Sequence, residues 1–157
     1  MKGNQEILEQ LNQLLTGELT AADQYFIHGT MLEDWGLLGL STRVLHEMED
    51  ERGHADQLIR RILFLEGKPE VGARYPLKVG ATLPEMLAHD LETEREVGAR
   101  LKAAIALCET HQDFETRRIL GGLLKDTEMD HAHWLEQQLG LIERVGLKNY
   151  QQSQIEP

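Results

Sequence analysis

The sequence predicts an all-α protein, built as a four-helix bundle with a short fifth helix at its C-terminal end. Apolar residues recur at helical spacing along nearly all of the 157 residues, and no stretch alternates polar and apolar residues as a strand does. The first two predicted helices are about 40 Å long at about 1.5 Å per residue, a length typical of bundles. Since no linker or repeat interrupts the pattern, we expect a single domain over residues 1–157.

The first half of the chain contains two long helices and a loop. The first helix is predicted at residues 5–34, and the second begins at residue 39 or 40 and ends at residue 66. Residues 67–81 contain glycine and proline but no apolar stripe. A loop of this length is unusual inside a bundle unless it runs along the bundle's whole length. We therefore expect a long crossover that sets helices two and three parallel.

The second half begins with a helix-start signal. Thr82 and Glu85 have the spacing of a capping box, in which each side chain bonds the backbone of the other residue. The third helix is predicted to end near Glu109. Asp113 can cap the fourth helix, which is predicted to run to residue 139 with the following glycine as its stop, and a short fifth helix is predicted at residues 141–152.

Composition excludes several classes of function. The formal net charge is -11 and lysine and arginine form no dense block, so we expect neither nucleic acid nor an anionic membrane as a partner. No apolar run approaches the ~20 residues that span a bilayer, and the first residues lack the apolar core of a secretion signal, so a cytoplasmic location is expected. Cys108 is the only cysteine, which excludes an internal disulfide and a cysteine-built zinc or iron–sulfur site.

Each long helix carries one glutamate on the face that its apolar stripe turns towards the core, and two of these glutamates are followed three residues later by a histidine. The six residues are Glu18, Glu51, His54, Glu94, Glu128 and His131. Burying four unpaired carboxylates would cost several kcal/mol each, roughly. Two divalent cations balance four carboxylates, and two neutral imidazoles complete a ligand set that suits iron or manganese. The pattern is the one described for di-iron carboxylate bundles.

Each motif taken alone is weaker evidence for a metal site than the six residues taken together. With this much glutamate, roughly one Glu-x-x-His match among the histidines is expected by chance. In the stretch E-T-E-R-E, either flanking glutamate is an alternative to Glu94 as the inward residue. Asp126 and Asp130 flank Glu128, but only Glu128 has both the stripe position and the histidine spacing. The alternative to a metal site is that the aliphatic parts of all four glutamate side chains pack on apolar surface while their carboxylates reach solvent.

Three stretches carry a family resemblance: G-E-L-T-A-A-D-Q-Y-F-I-H around Glu18, H-A-D-Q-L-I-R-R-I-L-F-L-E-G-K-P from His54, and W-L-E-Q-Q-L-G-L-I-E-R-V-G-L-K-N-Y near the end. Over essentially its full length the chain resembles a bacterioferritin-type bacterial ferritin. The resemblance implies a ferritin-like bundle, a homo-oligomeric hollow shell of 24 subunits, and iron storage. It also implies a ferroxidase centre within each subunit, where O2 or H2O2 oxidises Fe(II) before the ferric product is stored as mineral.

The resemblance further implies a role for each metal-site residue. Glu51 and Glu128 would be the two bridging glutamates. Glu18 and Glu94 would be the two terminal glutamates, and His54 and His131 the two histidine ligands. Tyr25 matches a tyrosine beside the family's centre. His46 and Asp50 match residues that bind iron on the inner surface in some members, with an ordinary polar face as the alternative.

Two departures from the family pattern concern haem and Glu128. Bacterioferritins bind haem between subunits through a methionine directly after the first bridging glutamate, and here that position is Arg52, which has no lone pair to offer iron. Met48 lies one turn away but is more typical of a core methionine. We expect a homo-oligomer without haem, with a mixed shell containing a haem-binding paralogue as the alternative. The second departure is the stretch D-T-E-M-D-H, which leaves the orientation of Glu128 open.

Other functions fit the sequence less well. A rubrerythrin-like peroxidase or oxygenase would need a rubredoxin-type centre, which one cysteine does not build. Mini-ferritins that protect DNA form their site between subunits and lack the terminal helix. A structural shell subunit without oxidase activity predicts missing ligands, whereas all six are present.

Overall fold

The computed structural model describes residues 1–157, and all of its regular structure is helical. The helices are α1 (Gln5–Asp34), α2 (Leu38–Phe64), α3 (Leu83–Thr110), α4 (Phe114–Lys125), a π-helix (Asp126–Ala132), α5 (His133–Val145) and α6 (Leu147–Ser153). The π-helix joins α4 to α5 without a break, so these three elements form the fourth long rod of the bundle. The predicted all-α bundle with a short terminal helix is therefore confirmed.

Side-chain caps fix where α1, α3 and α4 begin, and the cap of α4 is Asp113, which accepts from the Thr116 amide. The Asn4 side chain accepts from the amides of Glu6 and Ile7 at the start of α1. At the start of α3 the predicted capping box is confirmed, because Thr82 and Glu85 bond each other's backbone. Such caps satisfy backbone donors that have no partner within the helix.

The predicted long crossover is also confirmed, and it is fastened to α1. The amide of Lys78 donates to Gln24 Oε1 over 3.1 Å, and the amide of Gly80 donates to His28 Nε2 over 3.0 Å. These bonds satisfy backbone groups of a segment that has no regular structure of its own.

The end of the fourth rod differs from the prediction. Gly140 does not stop the helix, since α5 continues to Val145 and nothing lies within contact distance of a side chain at Gly140. The stop is Gly146, whose φ of 82° is accessible to glycine and strained for other residues. The short last helix therefore begins later than predicted.

The core consists of two hydrophobic clusters with a polar layer between them. One cluster includes Leu15, Ala55 and Val97, and the other includes Ala21, Val44 and Leu91. The glutamates predicted on the first three helices fall between these levels, at positions that are 0–1% exposed. None of the helices combines the length and the apolar composition that crossing a membrane requires.

Candidate metal centre

Three of the four predicted glutamates meet inside the bundle. Glu18 of α1 is 0% exposed, and Glu51 of α2 and Glu94 of α3 are each 1% exposed. His54 and His131 join them, at 3% and 1% exposure. No lysine or arginine side chain pairs with these carboxylates, and the nearest positive groups are the two imidazoles. The structure thus brings together five of the six predicted residues.

Glu51 lies between the two histidines. Its Oε2 is 3.2 Å from His54 Nδ1, and its Oε1 is 2.8 Å from His131 Nδ1. Glu18 Oε2 lies 3.6 Å from His54 Nδ1, and Glu94 Oε1 lies 3.3 Å from His131 Nδ1. The cluster therefore has two halves, Glu18 with His54 and Glu94 with His131, which share the Glu51 carboxylate.

The second ring nitrogen of each histidine also faces a carboxylate. His54 Nε2 is 3.1 Å from Asp126 Oδ2, and His131 Nε2 is 2.5 Å from Glu47 Oε2. Glu47 is 2% exposed, and its other oxygen accepts from Arg43 Nε over 2.5 Å. Both imidazoles thus have an acceptor on each side of the ring.

The electrostatics of the cluster raise the pKa of both histidines. Burial lowers the pKa of His54, but Glu18 and Glu51 outweigh it and raise that pKa to about 11. Burial likewise lowers the pKa of His131, while Glu47, Glu51 and Glu94 raise it well above the ordinary value. Two imidazolium ions therefore offset part of the negative charge, and a cation that binds here must displace their protons.

The two neighbouring carboxyls of the cluster shift in opposite directions. Burial, then the charges of Glu18 and Glu94, raise the pKa of Glu51 well above its ordinary value. Burial also raises the pKa of Glu18, but the adjoining Glu51 carboxyl and His54 imidazole hold it below the usual range. Ligand oxygens of Glu18 and Glu51 lie within 4.8 Å of each other. Two carboxyls this close repel each other when both are ionised, so the titration of one depends on that of the other.

Tyr25 lies beside the centre, as the resemblance implied. Its hydroxyl donates to Glu94 Oε1 in a short hydrogen bond, and the side chain is 2% exposed. Burial and the charges of Glu94 and Asp90 raise the pKa of Tyr25 well above its ordinary value. The phenol therefore stays protonated and fixes the orientation of the Glu94 carboxylate.

The predicted inward orientation of Glu128 is corrected by the structure. Its side chain is 48% exposed and Oε1 lies 3.4 Å from Lys102 Nζ, outside the cluster. The cause is the π-helix, in which each N–H bonds the carbonyl five residues back and a turn holds more than four residues. The residue four positions before His131, rather than three, then shares its face. That residue is Thr127, which is 1% exposed.

Glu47, Asp126 and Asp130 were missed as candidates by the sequence reasoning. Ligand atoms of Glu47, Asp50, Asp130 and His131 all lie within 4.8 Å of one another. Glu47 precedes Glu51 by one turn of α2, and this i, i+4 spacing was the available signal. Asp126 and Asp130 were set aside because neither has both the stripe position and the histidine spacing, and their side chains are 56% and 55% exposed, at the edge of the cluster.

The inner-surface and haem positions predicted from the resemblance are placed as follows. His46 is 67% exposed at its side chain, and its Nδ1 lies 3.5 Å from Asp50 Oδ2. Asp50 Oδ2 also lies 3.3 Å from His131 Nε2, so it borders the centre. Arg52 is exposed, whereas Met48 is half-buried and packs against the hydrophobic core.

Buried polar atoms without a hydrogen-bond partner concentrate at this one place. They are Glu18 Oε1 and Oε2, Glu94 Oε2 and Thr127 Oγ1. Two further groups of ligand atoms meet within 4.8 Å, one from Glu18, Glu51 and His54 and one from Glu51, Glu94 and His131. Orphaned carboxylate oxygens in a core are costly unless a cation serves them. The fold and this cluster define a helical bundle with a carboxylate–imidazole site suited to two metal ions.

Comparison with known proteins agrees with that class. Residues 8–145 match the ferritin-like domain family. The chain is 59% identical to a bacterial ferritin of Pseudomonas aeruginosa over 99% of this chain and 100% of the relative. It is 57% identical to a bacterial ferritin of Synechocystis sp. over 99% of both chains. A bacterioferritin of Mycolicibacterium paratuberculosis is 41% identical over 96% of this chain and 94% of its own length. The chain belongs to the ferritin family.

Proposed function

We propose that this protein stores and detoxifies iron, and that it is a ferroxidase. The relatives named above are bacterial ferritins, and membership of their family implies iron storage. The observation that carries the ferroxidase proposal is the concentration of unpartnered buried carboxylate oxygens around Glu51. Oxygen and imidazole donors in this number suit iron in its divalent state.

The proposed reaction needs two Fe(II) ions side by side as substrate. Glu18 and His54 would hold one ion, Glu94 and His131 the other, and Glu51 would bridge them. Each Fe(II) gives one electron to the oxidant, so that O2 takes two electrons and two protons and leaves as H2O2. With H2O2 as oxidant, two electrons and two protons yield two molecules of water. The bundle contributes orientation and exclusion of bulk water, because these side chains are almost fully buried.

The ferric product would pass to the interior of a hollow shell. We propose a homo-oligomer of 24 chains in the cytoplasm, on the strength of the family resemblance. His46 and Asp50, with Glu47 and Asp130, offer oxygen and nitrogen ligands next to His131 through which iron could leave the centre. Since Arg52 stands at the haem-ligand position, we propose that the homo-oligomer binds no haem there. A mixed shell with a haem-binding paralogue would be the setting for haem.

The test is an anaerobic titration of the metal-free protein with Fe(II), followed by admission of O2. We expect binding to saturate near two irons per chain and oxidation to be much faster than in buffer. Glu51→Gln removes the bridging carboxylate and should abolish the rapid phase. The matched control is Glu49→Gln, which changes an exposed glutamate of the same helix and should leave the rapid phase intact. Rapid oxidation by the Glu51→Gln protein would refute the ferroxidase proposal.

A second candidate is a shell subunit without oxidase activity. One observation favours it: Glu128 pairs with Lys102 outside the centre, so five rather than six predicted ligands lie together. This candidate predicts fewer than two tightly bound Fe(II) per chain and oxidation no faster than in buffer. The same titration therefore separates the two functions.

A further inference from the structure

Arg43 contacts three elements of the bundle at the level of the metal centre. On its own helix, α2, its Nε donates to Glu47 Oε1 over 2.5 Å. A terminal nitrogen donates to Asp130 Oδ1 of the π-helix over 3.1 Å, and Cζ lies 4.6 Å from the centre of the Trp134 ring on α5. A guanidinium is planar and its donors have fixed directions, so three such contacts leave it little freedom. Arg43 therefore links α2 firmly to the fourth rod.

Glu47 joins Arg43 to His131. Its Oε1 accepts from Arg43, and its Oε2 lies 2.5 Å from His131 Nε2. Asp50 and Asp130 also approach this nitrogen, at 3.3 and 3.9 Å, but their side chains are 33% and 55% exposed. Glu47 is 2% exposed, so water competes little for its oxygens. Glu47 is thus the nearest and the most deeply buried acceptor at His131 Nε2.

The acceptor at Nε2 decides which nitrogen of His131 is free for a cation. His131 Nδ1 faces Glu51 and Glu94, at 2.8 and 3.3 Å, where one of the two cations would bind. A neutral imidazole that offers one nitrogen to a metal carries its hydrogen on the other, and the partner of that N–H fixes the tautomer and the orientation of the ring. With Glu47 at Nε2, the lone pair of His131 is therefore on Nδ1.

The other histidine of the centre has no comparable support. His54 Nε2 lies 3.1 Å from Asp126 Oδ2, but the Asp126 side chain is 56% exposed. No lysine or arginine pairs with Asp126, and contacts between exposed charged groups contribute little because water screens them. The two halves of the centre therefore differ, and only the half of Glu94 and His131 is held by a buried carboxylate with an arginine behind it.

We propose that Arg43 is a positioning residue of the metal centre: it holds Glu47 against His131 Nε2, and Glu47 holds the ring so that Nδ1 faces the cation. The inference rests on the proposed dinuclear centre and adds to it the residue that orients one of its ligands. Removing the hydrogen-bond partner of a histidine ligand typically lowers metal affinity about 10–100-fold. The position formed by Glu18 and His54 does not depend on Arg43.

The test is a titration of metal-free Arg43→Met with Co(II), followed by the visible absorption of the bound ion. Methionine keeps a long side chain against Trp134 and removes the charge and the donors. We expect one Co(II) to bind at least tenfold more weakly than in the wild type and the other to stay within twofold. The matched control is Arg60→Met, which breaks an exposed pair with Asp56 on the same helix and should change neither site. Two unchanged sites in Arg43→Met, or equal weakening of both, would overturn the positioning role.

A double variant shows whether Arg43 acts through Glu47. Glu47→Ala should weaken the same Co(II) site at least as much as Arg43→Met does, because it removes the acceptor itself. If Arg43 acts through Glu47, adding Arg43→Met to Glu47→Ala lowers the affinity by less than a further twofold, since the link is already broken. Losses that multiply in the double variant would show that Arg43 acts independently of Glu47, and the proposed link would be wrong.

Crystal structures of the Zn(II)-loaded proteins give a readout that does not depend on affinity. The wild type should keep Glu47 between Arg43 and His131, with Zn(II) on Nδ1 of the ring. In Arg43→Met the Glu47 carboxylate should turn away from Nε2. Zn(II) on Nε2 in the wild type, or a Glu47 carboxylate that stays in place without Arg43, would contradict the proposal.

The outcomes also separate this inference from the proposed function. If the wild type fails to bind two Co(II) per chain, the dinuclear centre itself is refuted. If the wild type binds two and Arg43→Met binds both equally well, the centre stands and Arg43 does not position His131.

Discussion

The imidazole rings of His54 and His131 stack across the middle of the bundle, with centroids 5.8 Å apart and planes inclined by 20°. The two oxygens of Glu51 lie at hydrogen-bonding distance from the two rings, one from each. A carboxylate placed in this way can bind two metal ions, one through each oxygen. Because Glu51 lies beside both rings, the Glu51-x-x-His54 motif of α2 contributes to both metal positions of the proposed centre.

Replacement of Glu51 by glutamine should separate the stability of the metal-free protein from its response to metal. Because burial and the neighbouring charges raise the pKa of Glu51, its carboxyl is held towards the neutral form that an amide imitates. We therefore expect a small change in the melting temperature without metal. A cation at 100 times its Kd stabilises the native state by about 2.7 kcal/mol per site, and Glu51→Gln should lose most of this gain. Calorimetry with and without Co(II) measures both effects. An undiminished Co(II) response in the variant would contradict the bridging role.

Replacement of Tyr25 by phenylalanine should weaken the fold without changing the number of cations bound. The variant leaves Glu94 Oε1 without the hydroxyl that orients it, and a hydrogen bond to a charged group contributes about 1.5–3 kcal/mol. Urea unfolding measures the loss, and Co(II) titration checks that two cations still bind. Tyr75→Phe is the matched control, since the Tyr75 hydroxyl makes only a 3.5 Å contact with the Gln13 carbonyl. Equal losses in the two variants would show that the Glu94 contact contributes nothing special.

Much of the fold follows from local sequence signals, and the exceptions have identifiable causes. The periodicity predicted both ends of α1 and the buried glutamates of the first three helices, because each lies within a regular 3.6-residue stripe. The same α-helical periodicity placed Glu128 wrongly, because a π-turn shifts which residues face the core and the spacing of apolar residues does not reveal it. In the sequence Gly140 and Gly146 are equally plausible helix stops, but only Gly146 has a positive φ. Backbone conformation of this kind depends on how α6 packs, which local sequence does not contain.

The crossover is tied down by a buried polar network that the sequence did not reveal. His28 Nε2 accepts from the Gly80 amide, so Nδ1 carries the hydrogen and donates to Asp90 Oδ1 over 2.8 Å. Gln24 Nε2 donates to the same oxygen over 2.9 Å, and Gln24 Oε1 accepts from the Lys78 amide. Helix α1 therefore holds both the crossover and α3 through two side chains.

His28→Ala should loosen the crossover locally. The variant leaves the Gly80 amide without an acceptor and Asp90 Oδ1 with the Gln24 amide as its remaining side-chain donor, and a buried group left unpaired costs about 1–3 kcal/mol. We expect hydrogen exchange at Gly80 to become at least tenfold faster, with a smaller change at amides in the middle of α2. Asp90→Asn is the comparison, because its amide oxygen still accepts from His28 and should preserve most of the protection. Unchanged exchange at Gly80 in His28→Ala would contradict the fastening role.

A second buried polar group, at the start of α4, should make stability depend on pH. Arg61, which is 8% exposed, donates from Nε to Thr116 Oγ1 over 2.8 Å and contacts Asp113 Oδ1 at 3.1 Å. Asp113 caps α4, accepting from the Thr116 amide over 3.0 Å and from its hydroxyl over 2.6 Å. Burial raises the pKa of Asp113, but Thr116 and Arg61 outweigh it and hold that pKa below the ordinary value of 3.8.

Because the pKa of Asp113 is lower in the folded than in the unfolded chain, the unfolded chain takes up the proton first as the pH falls. The stabilisation from Asp113 is therefore complete above pH ~4 and is lost as the pH drops through the folded-state value. Asp113→Asn keeps a capping oxygen and removes only the charge, so it should lower the free energy of unfolding by about 0.3–1 kcal/mol at pH 7 and by less near pH 3. Urea unfolding of both proteins at the two pH values provides the measurement. Glu115→Gln, an exposed change in the same turn, is the control and should have a much smaller effect. A difference between Asp113→Asn and the wild type that stays constant from pH 7 to pH 3 would show that the Asp113 charge is not what stabilises this helix start.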